Sequence, residues 1–344
     1  MRAVSYPAYG VVPAVVDVSE PVCPPGGVVV TVAATGVCRS DWHAWQGHDP
    51  VPLPHIPGHE LAGTVAEVGP GVLRSQVGDR VTVPFVCGCG ECAWCRSGDA
   101  QVCPDQTQPG FTGPGSFAER VAIHAADTNL VRLPDSVDFV TAASLGCRFA
   151  TAYRAVTAHG RVRPGEWLAV HGCGGVGLSA VMVGVALGAR VVAVDLSPVA
   201  LARASELGAE AVVDAGSGDP ALAVQEVTGG GASVSLDALG SAATAAFSVR
   251  SLRRRGRHVQ VGLLLGDDAE PPLPMGVVIA HELEIHGSHG MAARDYPPML
   301  ELIAGGALQP DRLVGRVVGL DQAAAALVAL GSPPTTAGMT VVVP

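Results

Sequence analysis

Trp167-Leu168-Ala169-Val170-His171-Gly172-Cys173-Gly174-Gly175-Val176-Gly177 runs a short apolar strand pattern into a glycine-rich turn, and a helical pattern follows over 174–188. Strand, glycine turn and helix in that order decide the fold, because the same glycines without this context carry little information. The glycines allow a tight turn, close approach of a pyrophosphate and close packing of helix on strand. The helix N-terminus then faces the phosphate charge. The next strand pattern, 190–194, leads into Asp195, about twenty residues past the turn. A carboxylate there can bind both hydroxyls of an adenosine ribose and would repel a 2′-phosphate, so NAD is expected over NADP. The competing reading of Asp195 is a cap for the helix that follows.

Outward from this centre, strands and helices alternate. Helices are expected at 198–207, with Ser197 as cap and Pro198 in the first position, at 220–228 and at 241–252. Strands are expected at 211–213, 233–237, 258–261 and 283–285. Such alternation implies right-handed βαβ units and a doubly wound parallel sheet with helices on both faces. The chain before it reads differently. Segments 28–33, 63–68 and 80–83 are rich in β-branched residues, and Pro24-Pro25-Gly26-Gly27, Gly69-Pro70-Gly71 and Gly78-Asp79 separate them. That is a strand-rich domain. Residues 139–159 are Ala-rich and read as helical, and from about Gly290 two short helices and a strand at 340–343 are expected to return to the first domain.

The 344 residues carry 48% hydrophobic and 15% charged residues, enough to build two domains with substantial cores. The formal net charge of -10 and the lack of long basic runs exclude nucleic acid as an expected partner. Arg253-Arg254-Arg255-Gly256-Arg257 reads as a solvated helix end. The most apolar helical stretch, 176–189, is interrupted by glycines and too short to span a membrane. No signal-peptide core follows Met1, so a cytoplasmic setting is expected.

Five of the nine cysteines fall between Cys87 and Cys103. An odd number at tight spacing points to metal rather than disulfides, and to a reducing compartment. Cys89, Cys92, Cys95 and Cys103 supply the closed four-thiolate set of a structural zinc. Cys87 could replace one of them, and Cys23 and Cys173 read as small buried residues. Cys38, His59 and Cys147 are far apart in sequence, but each lies in a setting suited to one shared metal. Cys, His and Cys with an open fourth position is the set of a catalytic zinc that polarises an alcohol oxygen, hydride then passing to a nicotinamide. Ser40 could accept a hydrogen bond from the bound hydroxyl, and His43 could pass the proton onward. Asp41 could orient an imidazole ligand, and Glu60 could hold Arg39 or visit the metal.

Gly36-Val37-Cys38-Arg39-Ser40-Asp41-Trp42-His43, Pro57-Gly58-His59-Glu60, the lobe 89–103, Gly146-Cys147-Arg148-Phe149-Ala150-Thr151 and the glycine turn 172–177 together resemble the zinc-dependent alcohol dehydrogenases of the medium-chain dehydrogenase/reductase superfamily. The resemblance covers nearly the whole length. It implies an α/β chain with a GroES-like catalytic domain at 1–145, including a zinc lobe at 87–103. A Rossmann NAD-binding domain at 146–287 and a return to the catalytic domain over 288–344 complete it. It implies two zinc ions per chain and NAD(H). Cys38, His59 and Cys147 would hold the catalytic zinc, with Glu60 as a nearby alternative, and Ser40 and His43 would relay the proton. Arg39 would touch the pyrophosphate, with Gly172, Gly174, Gly175 and Gly177 forming the turn, Thr151 and Val176 near the nicotinamide, and Asp195 on the ribose. Phe85, Trp45 and Leu264 would line the substrate pocket. Ala200 departs from the pattern, since many relatives carry a basic residue there.

The expected activity is reversible hydride transfer between a small alcohol, or its aldehyde or ketone, and NAD(H), by a homo-oligomer, dimer or tetramer, away from membranes. Reduction of another C=X bond such as a cyclic imine on the same scaffold is the alternative. A nucleotide-binding relative without chemistry would lack a reason for Cys38, His59 and Cys147 to be present together, and the acidic charge and the nucleotide fold oppose a zinc-ribbon nucleic-acid binder.

Overall fold

The computed structural model describes residues 1–332 and 338–344. The chain divides into two compact units, Met1–Ala150 with Gly290–Pro344, and Thr151–His289. Among the described residues fifteen strands follow along the chain. In the first unit these are β1 (Arg2–Ser5), β2 (Ala14–Asp17), β3 (Val28–Val37), β4 (Glu60–Val68), β5 (Arg80–Thr82), β6 (Arg120–Ile123) and β7 (Val131–Arg132). The second unit holds β8 (Trp167–His171), β9 (Arg190–Asp195), β10 (Ala211–Asp214), β11 (Ala232–Asp237), β12 (Leu252–Gln260) and β13 (Glu284–Gly287), and β14 (Val314–Gly319) and β15 (Met339–Val343) belong again to the first.

Strand β3 organises the first unit. Its ten residues are mostly β-branched or small, and one edge pairs with β4 along nearly its full length. The other edge is shared: Val28–Thr31 pair with β6, and Thr35–Val37 pair with β15. Val28, Val30 and Val32 alternate onto one face and pack with Leu61, Val65, Val81, Val121 and Ile123. Beyond Val37 the core changes company to Tyr6, Trp45, Phe117, Leu327 and Val342. The expected return of the chain contains one more strand than the sequence suggested. β14, exposed at four of six positions, lacks the apolar alternation that would mark it.

In the second unit the strand order is β10-β9-β8-β11-β12-β13, and every pairing is parallel. β8 and β11 are buried at every residue, as central strands covered on both faces must be. Ser197, Asp219 and Ser241 cap the helices Pro198–Glu206, Pro220–Thr228 and Ala242–Arg250 with their side-chain oxygens. The order reverses between β8 and β11, the switch point where open parallel sheets bind ligands. The α/β class with a Rossmann parallel sheet is thus as expected. The arginine cluster 253–257 is not at a helix end: it lies in β12, whose Arg253 and Arg257 reach Glu166 across the sheet start. Among the described residues no helix is long and apolar enough to cross a membrane.

Candidate metal centre and nucleotide turn

β3 ends at Val37, and Cys38 is the extended cap of the helix Arg39–Gln46. Asp41, in the first turn of that helix, folds its carboxylate back. Its Oδ2 accepts the Cys38 N–H at 3.0 Å, while Oδ1 accepts the Gly58 N–H at 3.1 Å and the His59 Nδ1–H at 2.9 Å. One buried carboxylate therefore ties the end of β3, the turn before β4 and the His59 ring together. A carboxylate only accepts, so Nδ1 donates to it, and Nε2 is the nitrogen left to a metal. That Nε2 is buried with no hydrogen-bond partner among the described residues. An orphaned imidazole nitrogen held in one tautomer by a carboxylate is the arrangement of a metal-ligating histidine.

Cys147 reaches the same point from a π-helical turn, Leu145–Phe149, a local insertion common at functional sites. Cys38, His59, Glu60 and Cys147 each offer a donor atom, and these atoms all lie within 4.8 Å of one another. Two thiols and an imidazole suit a borderline-soft cation such as zinc. Proton sharing accompanies the crowding. The Cys38 thiol is held well below its ordinary value, first by its hydrogen bond to Cys147 and then by His59 and Arg148, against the effect of burial. Cys147 is pushed well up by the same bond and by burial. Burial alone would lower His59, but the charge and hydrogen bond of Asp41, with Cys38, lift it well above the usual range. A metal entering this set displaces those protons.

Glu60 opens β4, and its partner differs from expectation. Its Oε1 accepts the Arg148 backbone N–H and Nε, each at 2.9 Å, and its Oε2 accepts Arg148 Nη2. Both side chains are buried, and burial pushes the Glu60 carboxyl up despite Arg148. Arg39 does not reach it. It is exposed on the helix, with its guanidinium 5.1 Å from the Trp42 ring centre and a bond to the Leu330 carbonyl. The strand register explains the exchange: Gly36 pairs with Glu60. A Cβ at Gly36 would overlap Glu60 Oε2 and lie 2.9 Å from Arg148 Nη2, so only glycine leaves space for the pair.

Around His59 stand Phe85 and Phe111, both edge-on, with ring centres 6.1 and 5.1 Å away. Phe85 was expected to line the substrate pocket; Phe111 had no sequence signal. Trp45, also expected at the pocket, is 6% exposed in the core beside Tyr6 and Phe117, and its Nε1 donates to the Val11 carbonyl at 2.6 Å. Helical spacing turns Ala44 and Trp45 inward and leaves Trp42 half-buried. Leu264 is half-buried in the second unit. Ser40 Oγ is 3.8 Å from Cys38 Sγ. His43 is half-buried, and its Nδ1 lies 3.1 Å from Nδ1 of His48, a residue that the sequence did not single out.

The four lobe cysteines also converge within 4.8 Å. The Cys89–Cys95 and Cys92–Cys103 sulfur separations are 4.0 and 3.7 Å. A zinc tetrahedron with Zn–S of about 2.3 Å has edges of about 3.8 Å. Backbone N–H groups of Cys89, Cys92 and Cys95 point at sulfurs of the set, each at 3.4 Å. The residues present therefore fit a closed zinc site. Cys89 is lowered to about 7 by the backbone N–H groups of Glu91 and Cys92. Cys87 stands apart: it is buried, bonded to the Pro84 carbonyl and pushed up to about 12 by burial. Cys173 is buried as expected, whereas Cys23 is half-exposed.

In the second unit Gly172 follows β8 and Gly174 caps the helix Gly175–Ala186. A Cβ on Gly177 would overlap the Gly172 carbonyl oxygen, which is why helix and turn pack so closely. Asp195 ends β9, where Oδ2 accepts the Cys173 N–H at 2.6 Å and Oδ1 the Ser197 N–H at 2.8 Å. The helix cap is Ser197, so capping does not explain Asp195. Val176 is half-buried, and the buried Thr151 Oγ1 has no partner among the described residues.

The profile of the alcohol dehydrogenase GroES-like domain matches residues 24–135, and that of the zinc-binding dehydrogenases matches residues 175–305. An alcohol dehydrogenase of Geobacillus stearothermophilus is 38% identical over 84% of this chain and 85% of its own length. Among solved structures, the alcohol dehydrogenase TADH from Thermus sp. ATN1 is similar with a TM-score of 0.92 and 32% identity, covering 100% of this chain and 99% of that one. A structure described as an NAD-dependent alcohol dehydrogenase gives a TM-score of 0.88 and 30% identity over 100% of both chains. With this likeness along its whole length and a donor set of cysteine, histidine and cysteine in its first unit, the chain belongs to the zinc-dependent alcohol dehydrogenase family of the medium-chain dehydrogenase/reductase superfamily.

Proposed function

We propose that this alcohol dehydrogenase moves hydride reversibly between a small primary or secondary alcohol and NAD, using zinc held by Cys38, His59 and Cys147, with a second zinc in the four-cysteine lobe. The observation that carries the reading is His59 Nε2, a buried ring nitrogen with no hydrogen-bond partner among the described residues, gathered with two thiols. When bound, zinc supplies Lewis acidity toward an alcohol oxygen, and NAD supplies the hydride acceptor.

The residues of the chain do the rest. Asp41 holds His59 in one tautomer, so no ring rotation competes with ligation. Arg148 keeps the Glu60 carboxylate engaged, which leaves three stronger donors for the metal. Phe85 and Phe111 give the ligand histidine apolar neighbours that exclude water and favour a small, largely apolar substrate. Ser40 takes the hydroxyl proton and His43 passes it on; the Ser40 Oγ near Cys38 supports this order. In the second unit the 172–177 turn holds the pyrophosphate with its N–H groups, Thr151 and Val176 sit by the nicotinamide, and Asp195 reads the ribose. Nine cysteines, none of them in a disulfide among the described residues and six of them gathered in two metal-ligand sets, support a reducing, cytoplasmic setting, and the family likeness supports a homo-oligomer.

The test is metal analysis together with turnover followed at NADH absorbance on alcohol, ketone and imine panels. About two zinc per chain and alcohol oxidation are expected, with Cys38→Ala inactive but still binding NADH. A single zinc that survives Cys38→Ala with turnover intact would overturn the reading, and activity confined to imines would move it to the alternative reductase.

A further inference from the structure

We infer that His48 is the outer end of the proton path, taking the proton from His43 and releasing it to water. The inference rests on the reading of His43 as a relay and adds a residue that neither the sequence pattern nor that reading requires.

The geometry is specific. The helix Arg39–Gln46 ends in a left-handed Gly47, φ 78°, which reverses the chain so that the His48 N–H bonds back to the His43 carbonyl at 2.9 Å. The reversal carries the His48 ring beside His43, with Nδ1 to Nδ1 at 3.1 Å and ring centres 5.4 Å apart. Trp42 touches both, edge-on, at 5.2 and 5.5 Å. The Arg39 guanidinium lies over the Trp42 ring. One indole ring, backed by a cation, thus holds the two imidazoles together. His43 is half-buried and His48 exposed, so the pair leads from the interior to solvent.

A contact between two Nδ1 atoms holds one hydrogen, donated by one ring and accepted by the other. With Nδ1–H on His43, its other nitrogen is free to receive a proton from the interior. The N–H bond at His43 Nδ1 then breaks as one forms at His48 Nδ1, and the Nε2–H of His48 goes to water. One proton enters and one leaves, and no other reactant is needed. Burial, and next His48 itself, lower the basicity of His43, so the inner ring holds its proton weakly. The other charged groups acting on His43 are Arg39, Cys38 and Asp49. Reduction of a carbonyl would use the path in reverse.

The experiment is the pH profile of alcohol-oxidation kcat in dilute buffer for the zinc-loaded enzyme, His48→Ala, His48→Gln and His43→Ala. His48→Ala is expected to lower kcat by roughly tenfold, less than the hundredfold or more that a positioned proton-transfer group supplies, because water replaces it in part. KM and zinc content should hold, and added imidazole should restore the rate. His48→Gln keeps an acceptor beside His43 but carries no proton, and should be as slow as His48→Ala. A wild-type profile in His48→Ala with a slow His43→Ala overturns the role of His48 and leaves His43 standing. Wild-type profiles in both overturn the relay itself. Full activity in His48→Gln, or loss in His48→Ala that imidazole does not repair, makes His48 a support for His43 and overturns the inference.

Discussion

Asp41 Oδ1 accepts the Nδ1–H of His59 at 2.9 Å with both side chains wholly buried, and the same oxygen accepts the N–H of Gly58. Asp41→Asn keeps the shape but offers the ring an amide that must share its donors and acceptor. We expect zinc affinity to fall about 10- to 100-fold, the range for lost partners of metal-ligating histidines. Competition with a chromophoric chelator measures it, and unchanged affinity would refute the orienting role.

Gly36 faces the buried Glu60–Arg148 pair with no space for a methyl group. Gly36→Ala should displace the pair and destabilise the first unit, by about 3–5 kcal/mol if one charge is left unpaired. Urea unfolding followed by tryptophan fluorescence tests this; a midpoint within error of the parent would mean the strand shifts freely.

Cys87 and Cys95 are eight residues apart in one lobe, but only Cys95 belongs to the four-sulfur cluster. Cys95→Ser is expected to reduce bound zinc by one ion per chain and to lower Tm. Cys87→Ala should keep full zinc content. The reverse result would exchange the ligand assignment between them.

Asp195 accepts backbone N–H groups on both sides and presents its carboxylate at the end of β9. Asp195→Gly removes the charge that would oppose a 2′-phosphate, so the ratio of kcat/KM for NADP to that for NAD should rise by about tenfold or more, one like-charge contact being worth on the order of 1.4 kcal/mol. An unchanged ratio would leave Asp195 a purely structural brace.

Burial pushes His171 down to about 3 and His258 down to about 4. Their unfolded value is about 6.5. Below that pH the unfolded chain takes up protons that the native sheet refuses, so stability fully present above it is lost as pH falls toward 4. Between about pH 7 and pH 5 each should cost about 2 kcal/mol. His171→Asn should shallow the slope of urea midpoint against pH; an unaltered slope would assign the acid sensitivity elsewhere.

The parts that were legible in the sequence are those whose chemistry is local. The lobe cysteines fall on one short loop, and the glycine turn needs only its flanking strand and helix, so spacing and immediate context made both legible. Cys38, His59 and Cys147 were legible as separate settings, and their convergence needed the register of β3 on β4 and the π-turn at Cys147. Glu60 shows what neighbours in sequence miss. Arg39 was the expected partner, but the pairing of Gly36 with Glu60 hands the carboxylate to Arg148. Phe111 and His48 carry no local signature, since a loop fold and a reversed helix end bring them in. Trp45 was misread because an aromatic residue near a ligand helix is as easily core as pocket, and the inward face of that helix made it core.

The last strand, β15, pairs through Thr340–Val342 with Thr35–Val37, immediately before Cys38. During synthesis the nucleotide-binding unit, one unbroken stretch from Thr151 to His289, is available to fold as soon as it leaves the ribosome. The unit that gathers Cys38, His59 and Cys147 instead needs β15, which the chain supplies only after the whole nucleotide-binding unit. The sheet edge next to Cys38 is therefore completed across a gap in the chain that the whole nucleotide-binding unit fills, so the order of folding runs from the inserted unit to the one that surrounds it in sequence.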